Sequence, residues 1–351
     1  ALTDYYKLPN WIPLLIRKII MACLRLIFNI PLMVYEVITL YLLFRKIKPD
    51  LLHINNGGYP SARSALAAAI AGKLAAVPNT LMVVNNMAVD YRHYSRWFDY
   101  PIDYLVVKSV DLFVTGSRAA ATQLQSVLAL PSDKITSLHN GIPTRLGAET
   151  LQETRTRLGL SRFDGVIFGV VALLIPRKGH QVLLDAILIM SRQLNDYSNS
   201  FKVLIEGHGP LHDELVSFVN IHALNDYVEF VGDEKNIIDF MAILDVLILP
   251  SVSDEDFPNV VLEAMALGKP VIASRLAGIP EQVSQGETGL LVSPRSAEQL
   301  ALAITDLYND VPLRKQMGEA AANKFQNLFT ADVAVENYLT LYQSLIEKKK
   351  I

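Results

Sequence analysis

From residue 50 onward the chain alternates short apolar runs with stretches of helical periodicity. "DLLHIN" (50–55), "TLMVVN" (80–85), "DLFVTGS" (111–117) and "KITSLHNG" (134–141) read as strands, with helices such as "PSARSALAAAIAGKLAA" between them. A parallel pair needs a crossover, most often a helix, so this alternation predicts a parallel sheet covered on both faces. A second series follows: "GVIFGVVALL" (165–174), "FKVLIEG" (201–207), "YVEFVG" (227–232), "DVLILPS" (245–251), "PVIAS" (270–274) and "TGLLV" (288–292). That series is a doubly wound unit in itself. Two helical stretches, "LRKQMGEAAANKFQN" and "DVAVENYLTLYQSLIEKKK", come after it. The more polar residues 143–164 read as the connection between the halves. The pattern predicts the α/β class, with two doubly wound parallel-sheet domains over residues 1–145 and 146–328 and a helix over 329–351.

Residues 11–47 are strongly apolar, with Arg17, Lys18 and Arg25 in their first half. The run from Leu26 to Phe44 has the length of a bilayer span, but Asn29, Pro31 and Glu36 interrupt it. The reading favoured here is one or two helices packed on a sheet. A helix lying at a membrane surface, with Arg and Lys at its polar edge, is compatible with that packing. At 351 residues, the chain has room for two domains. Its 32 basic and 35 acidic residues nearly balance, which argues against nucleic acid as a partner. One cysteine, Cys23, excludes an intrachain disulfide framework and fits a reducing compartment. The expectation is a cytoplasmic protein at the inner face of a membrane.

The chemistry concentrates in "SDEDFPNVVLEAMALGKPVIAS", where the strand-like "DVLILP" leads through an acidic loop into the helical "PNVVLEAMALG". Ligands of open α/β sheets bind beyond the carboxyl ends of the strands. Pro258 suits the first helical position and Gly268 the stop. The first amides, at Asn259, Val260 and Val261, would then form an anion site fit for a diphosphate. Glu255 precedes that helix start and Glu263 lies roughly 7–8 Å along the axis inside it. Carboxylates accept paired hydroxyl hydrogen bonds. A nucleotide sugar, with a diol at each end of a diphosphate, matches the set. A solvated loop acid and an exposed helix acid are the plainer readings of each glutamate alone. The apolar neighbours of Glu263 count against the second.

This stretch resembles the E-x7-E motif of retaining GT-B glycosyltransferases in the large family-four group. "ALLIPRKGHQVLLDA", "LIEGHGPLHDEL", "AGIPEQV" and "GETGLLV" follow in the family's order, and "KPDLLHIN", "VTGS" and "HNGI" are similar to its first half. The resemblance implies a GT-B fold, two domains facing a cleft, with the last helix returning to the N-terminal domain. It also implies that Lys178 contacts the donor diphosphate, Glu255 holds the donor sugar and Glu263 holds the ribose. Arg177, Gly207, His208, Gly209 and Phe257 to Val261 (Phe257, Pro258, Asn259, Val260, Val261) complete the implied donor site. Gly278 to Glu281 would cap a helix start at the cleft, and His180 reads as a first-turn residue. Lys178 and Glu255 stand as the catalytic pair, with no metal and no cofactor beyond a UDP- or GDP-linked sugar substrate.

The sequence departs from the family in three places. Ala172 and Leu173 stand where members carry a second phosphate-clamping arginine. Asn85 and Asn86 stand where many have a histidine; an amide binds a hydroxyl but is no base. No strand with a Gly-rich loop precedes residue 50, so the expected N-terminal domain lacks its first strands. The expected activity is retaining sugar transfer to a glycan or lipid-linked acceptor in cell-surface polysaccharide synthesis. Three alternatives stay open: a metal site at Asp254–Asp256, a nucleotide-sugar epimerase, and a non-catalytic nucleotide-sugar binding module. The helix carrying Glu263 and the upstream Arg177-Lys178-Gly179 favour the metal-free form over the first.

Overall fold

A computed structural model describes residues 30–92, 94–193 and 200–348. By internal contacts the chain divides into two units, Ala1–Leu138 with Tyr338–Ile351, and His139–Asn337. The apolar runs read as strands all form strands, and every pairing is parallel.

Among the described residues the first unit contains helix α1 (Ile30–Ile47), followed by β1 (Leu51–Asn56), α2 (Arg63–Leu74) and β2 (Asn79–Val84). Then come α3 (Tyr100–Ser109), β3 (Leu112–Thr115), α4 (Arg118–Leu128) and β4 (Ile135–Ser137). The sheet runs in sequence order, β1-β2-β3-β4. Successive side chains of a strand face opposite ways. Met82 and Val84 of β2 therefore join Phe113 and Leu124 in one core. Leu81 and Val83, with Leu112 and Val114, face the other way. Tyr338, Leu341, Tyr342 and Leu345 cover that second face.

Helix α1 inserts Met33, Val37 and Leu40 into the core beside α2. Its Glu36 takes two hydrogen bonds from Arg63 of α2, at 2.9 and 3.0 Å. The opposite side of α1 is also apolar, with Tyr35, Ile38 and Leu42 exposed. Among the described residues no helix is long and apolar enough to cross a membrane. Residues 11–29 of the apolar stretch, with Cys23, lie outside the described residues.

The second unit contains α5 (Leu151–Arg157), β5 (Val166–Val171), α6 (His180–Gln193), β6 (Phe201–Glu206), α7 (His212–Ile221) and β7 (Val228–Gly232). It continues with α8 (Ile237–Ala242), β8 (Val246–Leu249), α9 (Asn259–Ala266), β9 (Val271–Ser274), α10 (Ile279–Gln282), β10 (Gly289–Val292), α11 (Ala297–Asn309) and α12 (Val311–Leu328). Its sheet order is β10-β9-β8-β5-β6-β7. The order reverses between β5 and β8, which makes that pair the topological switch point where ligands bind in such sheets.

The division into units falls at 138/139, seven residues before the boundary read from composition. Backbone bonds explain it: Ile142 donates to Phe329 and accepts from Ala331, both at 3.0 Å. The polar stretch after it is structured in part, as α5, with a capping box between Thr150 and Glu153. The last helix, α13 (Ala331–Lys348), starts in the second unit and passes into the first at Tyr338.

Candidate functional site

Three loops leave the carboxyl ends of β5, β6 and β8 and pack backbone against backbone. Gly179 has φ +72, and a Cβ there would lie 2.0 Å from the Pro250 carbonyl oxygen. The Val252 amide donates to the Arg177 carbonyl at 2.8 Å, joining the loops after β5 and β8. Gly207 has φ +129, and its Cβ would meet the Ala172 oxygen at 2.1 Å. Leu174 and His208 bond at 2.8 Å, which joins the loops after β5 and β6. Only glycine permits these approaches at these dihedrals.

The zipped loops bring charge to the switch point. Arg177 and Lys178 sit on a short 3-10 turn, Pro176–Lys178. Glu255 comes from the loop after β8 and is buried. Its Oε1 accepts from Arg177 Nη1 at 3.1 Å, from Ser251 Oγ at 3.0 Å, and from Lys178 Nζ. Arg177 also donates to the Asp254 carbonyl at 3.1 Å. Three donors on a single oxygen hold the carboxylate in a fixed orientation.

Two residues farther on, Phe257 is buried and stacks on His139, with centroids 5.0 Å apart and planes 11° apart. His139 Nε2 lies 3.1 Å from Glu281 Oε2. The stacking anchors the base of the acidic loop to residues at the start of the second unit.

Helix α9 starts one residue later than the pattern suggested. Pro258 is its N-cap at φ −66 and offers no side-chain cap. Asn259 is exposed and Val260 half-buried, so the open end of the helix is at these two. Val261 differs from the expectation. Its side chain is wholly buried and its amide donates to the Pro258 carbonyl at 3.2 Å. An amide already engaged within its own turn is a poorer anion donor, so Val261 belongs to the core.

Glu263 does not touch the Glu255 cluster. Its side chain is 17% exposed and faces Arg145 Nη1 at 3.8 Å. Burial raises its pKa, and Arg145 pulls the other way. His208 and Asp233 pair at 2.6 Å on an exposed rim beyond β6. His180 opens α6 and is 1% exposed, with neither ring nitrogen hydrogen-bonded. Burial, then nearby Lys178, lowers its pKa to about 4, so it is neutral. Gly278 is the N-cap of α10. Among the described residues no three His, Cys, Asp or Glu side chains are grouped to hold a metal ion.

Ser251, Arg145 and the contact of His139 with Glu281 are not marked by the sequence. Ser251 closes a strand motif and Arg145 sits in a polar connection, so neither carries a local signal. Only the fold brings them to the two glutamates.

The chain matches two domain families, Glycosyltransferase Family 4 over residues 8–146 and Glycosyl transferases group 1 over residues 160–324. The capsular polysaccharide biosynthesis glycosyltransferase CapM of Staphylococcus aureus is 25% identical over 90% of this chain and 82% of its own. The N-acetyl-alpha-D-glucosaminyl L-malate synthase of Bacillus anthracis is 34% identical over 42% of this chain. This chain spans 39% of that synthase, and 24% of an exopolysaccharide phosphotransferase of Streptomyces coelicolor. Among solved structures, Anabaena HepE superposes with a TM-score of 0.75 at 22% identity, over 90% of this chain and 82% of its own. Two consecutive stretches of the chain thus match models of the Glycosyltransferase Family 4 and the Glycosyl transferases group 1, and its two parallel-sheet units have the GT-B fold.

Proposed function

We propose that the chain transfers a sugar from a nucleotide-diphosphate sugar to a glycan or lipid-linked acceptor, with retained anomeric configuration and no metal ion. The observation that carries this is the cluster at the switch point, where Glu255 meets Lys178 and Arg177. In this reading the donor diphosphate competes with Glu255 for the two cations and rests on the open amides of Asn259 and Val260. Lys178 and Arg177 then stabilise the charge that grows on the leaving nucleotide. Glu255, with Oε1 committed to three donors, offers its other oxygen to the sugar hydroxyls. Glu263 takes the ribose. The leaving phosphate accepts the acceptor proton on the same face, so positioning does most of the work and no general-base pair is needed.

HepE has been crystallised with UDP and with UDP-glucose, which supports a UDP-linked donor as the first choice. CapM supports an acceptor in polysaccharide synthesis. The exposed apolar side of α1, with Arg45 and Lys46 in its last turn, supports contact with an anionic membrane surface. Thermal shift with UDP, GDP and ADP and their sugars tests the donor site. A true ligand raises the melting temperature of the parent and much less that of Glu263→Ala. No shift with any nucleotide would sink the reading. Transfer that persists in excess chelator is the expected result for a metal-free enzyme.

A further inference from the structure

We propose that Asp103 is a positioning residue that fixes the two loops at the carboxyl edge of the first unit's sheet, so that Asn55, Asn85 and Asn86 present their amides to a sugar acceptor. This rests on the transferase reading and names a part of it that the donor site does not contain.

The loops after β1 and β2 run side by side past the strand ends. Asn85 donates to the Asn56 carbonyl and Val89 to the Tyr59 carbonyl, both at 2.9 Å. Tyr59 and Ala88 form an isolated parallel bridge. Beneath them lies Asp103, on α3 and 2% exposed. Its Oδ1 accepts from Tyr59 OH at 2.9 Å. Its Oδ2 accepts from Tyr91 OH at 2.5 Å and from Arg96 Nη2 at 2.7 Å. Arg96, 3% exposed, also donates to the Val89 carbonyl at 3.1 Å and to Asp99 at 2.8 Å. Its guanidinium lies over the Tyr91 and Tyr59 rings, 5.0 and 5.7 Å from their centroids. One carboxylate thus ties the loop after β1 through Tyr59, and the loop after β2 through Tyr91 and, by way of Arg96, Val89.

A buried ion pair adds little net stability compared with apolar residues of the same volume. What this one supplies is a fixed geometry for two loops, and the edge they form is where α/β sheets bind ligands. Asn55 and Asn86 are exposed there and Asn85 is half-buried. The Asn55 and Asn85 amides hydrogen-bond each other. Each amide carries both donors and an acceptor, which suits neighbouring sugar hydroxyls.

The test uses Tyr91→Phe, which removes one donor and keeps the ring over Arg96, and Asp103→Asn. Amide hydrogen exchange is the first readout. Exchange at Val89 and Asn85 rises about tenfold in each variant, while Met82 and Phe113 in the strands stay within about twofold of the parent. Strand amides that accelerate equally, or a Val89 that does not respond in Tyr91→Phe, would overturn the proposal. Transfer from UDP-glucose to octyl glucoside is the second readout. KM for octyl glucoside rises about fivefold or more in Tyr91→Phe, with KM for UDP-glucose unchanged. An equal rise in both, or in neither, counts against a role on the acceptor side. If the parent performs no transfer from UDP-glucose, the transferase reading suffers, and the exchange comparison still decides the role of Asp103.

Discussion

Lys178 and Glu255 are both largely buried, so each is costly without the other. Lys178→Ala leaves Glu255 with Arg177 and Ser251, and is expected to destabilise by about 1–3 kcal/mol as read by urea midpoints. It should also abolish nucleotide-dependent stabilisation. Glu263 behaves in the opposite way. Burial raises its folded pKa above the ordinary 4.5, so the stability it allows at acid pH is lost as pH rises through the folded value. Glu263→Gln is therefore expected to be at least as stable as the parent near pH 7, a margin that vanishes below about pH 4.5, while nucleotide binding falls. A side chain whose removal helps the fold and harms the ligand is kept for the ligand. His180 gives the acid side of the profile. Its pKa falls from 6.5 to about 4 on folding, so it favours the folded state above 6.5 and that contribution is lost as pH falls toward 4. The loss amounts to about 3 kcal/mol, and His180→Leu should flatten the acid limb of a stability–pH curve.

At the scale of elements, the loops matter more than the strands they leave. Gly207→Ala places a methyl group against the Ala172 carbonyl at a dihedral alanine rarely adopts. A loss of about 3 kcal/mol or more in unfolding free energy is the expected outcome, with the Arg177–Glu255 contact disturbed as well. Much of this element layer is legible in the sequence. Hydrophobic runs bounded by Gly, Pro and Asn locate ten strands because parallel strands are buried on both faces and read as continuous apolar segments. Pro258 shows the limit. Proline suits several positions around a helix start, and the pattern placed it inside the helix, whereas the backbone makes it the cap. Val261 leaves the anion site for another reason, because its amide bonds the Pro258 carbonyl and its side chain is wholly buried. Arg145 and Ser251 were not legible, because what selects them is a neighbour far away in sequence.

For the molecule as a whole, the class of fold followed from the alternation of periods, but the order of strands did not. The reversal between β5 and β8 is a long-range pairing, and no local pattern announces it. Without it the Lys178 and Glu255 loops would be two separate acidic and basic motifs. The apolar side of α1 sets a prediction at this scale. Vesicles containing anionic lipid should retain the protein more than neutral vesicles do, and Leu42→Glu together with Ile38→Glu should abolish that retention. Equal retention by both kinds of vesicle would remove the electrostatic part of the argument.

Helix α13 belongs to both units, and this has a consequence for how the protein is made. The face of the first sheet formed by Leu81, Val83, Leu112 and Val114 is sealed by Tyr338 to Leu345, which the ribosome adds only after the whole second unit. The half translated first must wait, greasy flank bare, for the second half to be finished. A premature stop near residue 335 would spare nearly all of the second unit and yet strip the first of its cover.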